Sequence, residues 1–142
     1  LNHRLDIVCA PYRLKNPNAI YLAVTEPIDT SKFPLVEVTH AGTGIMLISR
    51  KLAEDVKEYA IKNNMVYKDN MIYAQNSIDN GRQRDIYDVF KAEIDNETNI
   101  YLSEDYYFCK LVRSLGYKVY VDYSCPSVHN GVLQFVYHPS ML

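Results

Sequence analysis

The run from Ser103 to Gly131 constrains the fold more than any other part of the chain. Ser103-Glu104-Asp105 opens it, and Tyr107, Phe108, Leu111, Val112 and Leu115 follow at the spacing of one helical face. A serine there is suited to cap the first free amides, and two carboxylates in the first turn are favoured by the helix dipole. Gly116 suits a left-handed C-terminal cap. Tyr117 to Tyr123 reads as a strand, and the polar His129-Asn130-Gly131 follows it. A helix feeding a strand in this way predicts an α/β fold, a mixed sheet flanked by helices. A carboxylate fixed at a helix start on the rim of a sheet is placed to act as a general base. The same acidic pair also simply makes a good helix start, and the residue types alone leave both readings open.

The rest of the chain supplies the other layers. Leu5 to Ala10 is apolar on both faces, ends at Pro11 and predicts a buried, central strand. Ile20 to Val24 is a second strand candidate, and Glu26 to Pro34 a connection. Leu35 to His40 alternates as a third strand, which Ala41 to Gly44 breaks or bulges and Ile45 to Ile48 resumes. Ser49 caps a helix to about Asn63, with Leu52, Val56, Tyr59 and Ala60 on one face. Met65 to Tyr73 carries no clear pattern. Gln75 to Asp85 reads as a polar loop around Asn80-Gly81. Ile86 to Ile94 fits a strand or a short helix, Asp95 to Asn99 a turn, and Val132 to Tyr137 a last strand or helix. Gly42-Thr43-Gly44, inside a β pattern, permits close approach of a ligand or another backbone, or marks a plain bulge.

With 142 residues, 48% of them hydrophobic, the chain suffices for one domain, residues 1–142, with a real core. A net charge of −2 gives no nucleic-acid footprint. No apolar run is long enough to be a transmembrane segment, and the start has no signal-peptide pattern. Cys9, Cys109 and Cys125 lack metal-ligand spacing, and the first two sit in apolar patterns as small core residues. That usage points to a reducing compartment, the cytoplasm. The chain opens without methionine and enters a strand almost at once, as the middle of a longer protein would.

Three blocks carry a family resemblance. Glu104-Asp105, Phe108-Cys109, Arg113, Gly116, Val119-Tyr120-Val121 and His129-Asn130-Gly131 resemble the C-terminal signature of GT-A glycosyltransferases, close to family 2-like and procollagen-galactosyltransferase-like enzymes. Gly42-Thr43-Gly44-Ile45-Met46-Leu47-Ile48-Ser49-Arg50 is similar to their strand-to-helix unit between donor sugar and acceptor. Leu5 to Tyr12 with Lys15 resembles the strand and turn that follow their nucleotide-binding half. The resemblance runs from about Leu5 to about Phe135, with Met65 to Arg84 unmatched.

The resemblance implies the C-terminal, acceptor-side part of a GT-A fold. It implies transfer of a sugar from a nucleotide-sugar donor to a hydroxyl of a glycan or protein acceptor, with inversion. Asp105 would be the base and Glu104 would bind acceptor or orient the loop. Gly42, Thr43 and Gly44 would shape the sugar pocket. A divalent cation, Mn²⁺ or Mg²⁺, would stabilise the leaving diphosphate, with His129 as a ligand. The family's Asp-x-Asp metal motif and its N-terminal nucleotide-binding half are missing from this sequence. Glu93-Ile94-Asp95 has a similar spacing but lies late, before a turn, and is not assigned. A non-catalytic sugar-binding or scaffold domain, and a nucleotidyltransferase, are the competing classes.

Overall fold

A computed structural model describes residues 3–13, 30–68, 85–130, 134–138 and 140. The strand candidate at Ile20 to Val24 and nearly all of the loop at Gln75 to Asp85 lie outside those residues. In chain order the strands are β1 (Ile7–Cys9), β2 (Leu35–Val38), β3 (Met46–Ile48), β4 (Val66–Lys68), β5 (Asp85–Tyr87), β6 (Glu93–Asp95), β7 (Ile100–Leu102), β8 (Val119–Asp122), β9 (Ser127–Asn130) and β10 (Gln134–Tyr137). Helix α1 (Arg50–Lys62) follows β3, and helix α2 (Glu104–Ser114) precedes β8. No helix among the described residues is long and apolar enough to cross a membrane.

The chain forms a mixed α/β structure. Its main sheet has the order β2-β8-β1-β3. β1 and β8 run parallel, while β2 and β3 are antiparallel to their neighbours. The apolar run that predicts a central strand is therefore central, with a partner on each side. Strand alternation puts Ile7, Cys9, Val36, Val38, Val119 and Val121 on one face, where all are buried with the inner faces of both helices in one core. Glu37 and Tyr120, paired across β2 and β8, sit on the other face and are more exposed. The remaining strands pair as two-stranded units, β4 with β5, β6 with β7 and β9 with β10.

Two sequence expectations change. Ile45 to Ile48 does not resume the strand at Leu35. β2 and β3 lie on opposite edges of the sheet, and residues 39–45 cross between them. Ile86 to Ile94 is neither one strand nor a helix: it contributes to β5 and to β6, separated by Asp88 to Ala92.

Helix α1 buries Leu52, Val56 and Ala60, the positions its periodicity selects, with Tyr59 half-buried. Ser49 fixes its start. The Ser49 hydroxyl accepts from the Leu52 amide at 3.0 Å and donates to Asp6 Oδ1 at 2.6 Å, while the Ser49 amide donates to the Asp6 carbonyl at 2.7 Å. The cap thus also ties α1 to the entry of β1. Helix α2 buries Tyr107, Phe108, Cys109, Leu111 and Val112. Burying a side chain such as Phe108 fully contributes about 1.5–3 kcal/mol. Phe90 stacks on Phe108 with ring centroids 4.2 Å apart, closing that face from the β6 side. At the far end Gly116 has φ +89°, a backbone region that side chains disfavour.

Ser49→Ala removes the Leu52 cap and the Asp6 bond together. We expect a loss of about 1–2 kcal/mol by urea denaturation. An unchanged unfolding midpoint would mean that neither bond contributes.

Candidate functional site

The loops at the carboxyl end of the parallel pair β1 and β8 bring the three sequence blocks together. In open α/β sheets this is the end where ligands bind. β1 runs out through Ala10 and Pro11 to Tyr12. The Ala10 amide donates to the Ile45 carbonyl at 3.0 Å, fastening this exit to the 3₁₀ turn Thr43–Ile45 that leads into β3. The Ser127 hydroxyl, at the start of β9, donates to the Pro11 carbonyl at 2.7 Å.

The glycines of Gly42-Thr43-Gly44 accommodate the ring of Tyr12, a side chain of this chain. A methyl group built on Gly42 would lie 2.1 Å from the Tyr12 hydroxyl oxygen, and one on Gly44 2.8 Å from a ring carbon. The Gly44 backbone also lies close enough to the Tyr12 phenol to favour its ionised form. Sequence reading finds the glycines and Tyr12 separately, but nothing in the local pattern says that they meet. Gly42 is buried, whereas Thr43 and Gly44 are exposed, so the turn faces outward.

Helix α2 holds this turn from the other side. The Ala41 amide donates to Cys109 Sγ at 3.4 Å, and that thiol lies 3.5 Å from the Ala41 carbonyl oxygen that it faces as donor. Cys109 is thus a core residue, as its apolar surroundings predict, that also fixes the residue before Gly42.

Asp105 stands in the first turn of α2, half-buried, while Glu104 beside it is exposed. The expected Ser103 cap takes a different form. Ser103 occupies the capping position but makes no side-chain bond to a helix amide. Its hydroxyl instead donates to Asp105 Oδ1, and that same oxygen accepts the Tyr106 amide at 3.0 Å. The carboxylate has taken over the capping role because a charged acceptor holds the amide better than a hydroxyl does. Both bonds fall on Oδ1, and among the described residues Oδ2 accepts none. The Tyr106 ring packs on His40, centroids 4.9 Å apart.

The charge on Asp105 is felt across the site. Burial pushes the Tyr12 phenol above its ordinary range, and the Asp105 carboxylate pushes it further, against the opposing effect of the Gly44 backbone. Burial, followed by Cys109 and Asp105, pushes the Cys9 thiol up to about 12. Both groups stay protonated at neutral pH.

Glu93 and Asp95 are engaged elsewhere. Lys91, just before β6, pairs with Glu93 at 2.8 Å, and Lys110 of α2 pairs with the buried Asp95 at 2.7 Å, a bond that fastens β6 to α2. His129 lies in β9, its backbone paired with Phe135, and its side chain is outside what the structure describes. Among the described residues no group of three or more His, Cys, Asp or Glu side chains could hold a metal ion.

These residues define an α/β structure with a carboxylate, a phenol and a glycine turn gathered at the carboxyl end of its parallel strands. No protein-family model, no curated protein and no solved structure matches the chain.

The raised Cys9 thiol sets a pH dependence. Its folded value lies above its ordinary value of 9.0, so the fold holds the proton more tightly than the unfolded chain does. Stability from this group is complete below about pH 9 and falls as pH rises toward about 12, and Tyr12 acts in the same direction. Urea unfolding at increasing alkaline pH should show this decline, and Cys9→Ala should make it shallower. An equally steep decline in Cys9→Ala would remove Cys9 as its source.

Proposed function

We propose that this chain is the acceptor-side part of a GT-A glycosyltransferase that moves a sugar from a nucleotide-sugar to an acceptor hydroxyl. The observation that supports this is the meeting of Tyr12, the Gly42–Gly44 turn and Asp105, residues far apart in sequence, at one end of the sheet.

The chemistry assigned to these residues is proton removal. Ser103 and the Tyr106 amide fix Asp105 through Oδ1. Oδ2 is then the atom that accepts the acceptor's hydroxyl proton as its oxygen attacks the anomeric carbon, whose bond to the donor's diphosphate breaks so that the nucleoside diphosphate leaves. Glu104, exposed beside it, would bind acceptor or orient the loop. Gly42, Thr43 and Gly44 would border the sugar pocket, with Tyr12 forming part of its wall. The cation expected from the resemblance finds no ligand set among the described residues, so no step is assigned to it. As a metal ligand, His129 would need partners from outside them.

One observation favours a second reading, a non-catalytic sugar-binding or scaffold domain: the chain contains no Asp-x-Asp. The two readings separate at Asp105. In the full-length protein Asp105→Asn should lower sugar transfer by about 10²–10⁴-fold, the usual worth of a general base. Asparagine keeps the side-chain oxygen that accepts Ser103 and the Tyr106 amide, so circular dichroism and the melting temperature should change little. Near-normal transfer by the variant would leave Asp105 as a helix cap only.

A further inference from the structure

We infer that the face of the main sheet turned away from the helices carries a second binding site, a small cavity that takes a carboxylate with a short apolar chain, its head on Arg4 and His3 and its chain on Leu5, Val8, Leu47 and Ile48. None of its lining residues belongs to the carboxyl-end site, and it does not rest on the glycosyltransferase reading.

Three observations carry it. The first is the cavity's shape. It is half-open, has a volume of about 170 Å³, and lies between the segment before β1 and the edge strand β3. Val8 and Leu47 are direct partners across β1 and β3, and alternation turns both away from the helices. A cavity of about 150 Å³ holds a body the size of benzene, which sets the chain at about six carbons. The second is a polar end held in place. His3 Nε2 lies 2.9 Å from Asp122 Oδ2, and the Ser124 amide and hydroxyl both donate to Oδ1 of that buried carboxylate. Burial would raise the Asp122 carboxyl, but the bonds from Ser124 and His3 hold it below the ordinary range. The ionised carboxylate makes Nε2 the donor, so Nδ1 is the nitrogen left to meet a ligand. Asp122 lies one residue beyond the partner of Cys9, so the chain reverses before β1 to bring His3 back over the sheet. Arg4 sits in that reversal with φ +50°, uncommon for a residue that carries a side chain. The third is an unused charge. Arg4 is exposed and forms no ion pair among the described residues. The neighbouring Asp6 accepts the Ser49 hydroxyl at 2.6 Å, and neither Asp6 nor Asp122 lines the cavity. A guanidinium without a partner at the end of an apolar wall matches a carboxylate on an apolar chain, as ligand sites pair apolar linings with a few placed polar groups.

Methyl carbon-13 NMR of the full chain tests this by direct binding. The probes are sodium hexanoate, hexylammonium chloride, sodium acetate and N-acetyl-leucine, at constant ionic strength. Hexanoate should shift the methyl signals of Leu5, Val8, Leu47 and Ile48 saturably, while those of Leu52 and Leu111 in the helix-side core stay in place. Each buried methylene adds about fourfold in affinity, so acetate should bind about tenfold or more weakly than hexanoate. Arg4→Gln should weaken hexanoate by about tenfold or more, and Arg4→Lys, which keeps the charge, should fall between that variant and wild type. Leu47→Asn, at a half-exposed position, should weaken hexanoate and leave acetate unchanged. No saturable shift in the wild type, equal binding of hexylammonium, or unchanged affinity in Arg4→Gln overturns the inference. Tighter binding of N-acetyl-leucine, which mimics the end of an apolar peptide, would overturn the free acid as the occupant.

Discussion

The candidate site depends on how α2 is seated. Its buried side, Tyr107, Phe108, Leu111 and Val112, packs over Val119 and Val121 of the sheet and over β7, and this fixes the height and rotation of the helix. From that fixed helix Cys109 reaches the Ala41 backbone, which positions the glycine turn, and Asp105 is carried to the rim of the sheet. A change in the apolar packing would therefore move two parts of the site at once. Close-packed interiors pass such shifts on, because there is little free volume to absorb them.

The electrostatics follow from the same arrangement. The Asp105 carboxylate stands near a phenol and a thiol that are both partly removed from water. Burial raises the cost of a second negative charge, and the first charge raises it again. Tyr12 and Cys9 therefore remain neutral, and Tyr12 remains a hydrogen-bond donor. The lysines of the neighbouring region are occupied elsewhere, Lys110 with Asp95 and Lys91 with Glu93.

Much of this fold is legible in the sequence where local rules govern it. The two helices, the Ser49 cap, the glycine after α2 and the central position of β1 all follow from periodicity, capping chemistry and apolar runs. What the sequence hides is set by tertiary contacts. Alternation continues on both sides of Gly42 and Gly44, so the chain reads there as one interrupted strand. The choice of opposite sheet edges for β2 and β3 is made by pairing with β8 and β1, which no local pattern records. Ser103 has the residue type of a cap, but the neighbouring carboxylate competes for the same amide and wins it. The glycines carry a signal of close approach without naming what approaches. That partner, Tyr12, is a side chain from a distant segment. The metal role of His129 rests on resemblance, and the described residues fix only its strand.

The central claim is that Tyr12 and Asp105, from distant parts of the sequence, lie close enough for the carboxylate to act on the phenol. Carbon-13 NMR of tyrosine-labelled protein measures this most directly, with the Tyr12 signal among the 13 tyrosines assigned by its loss in Tyr12→Phe. The account predicts that the Tyr12 phenol titrates above the ordinary tyrosine range and that Asp105→Asn lowers its midpoint, because one of the two charges is gone. An identical Tyr12 titration in wild type and Asp105→Asn would contradict it.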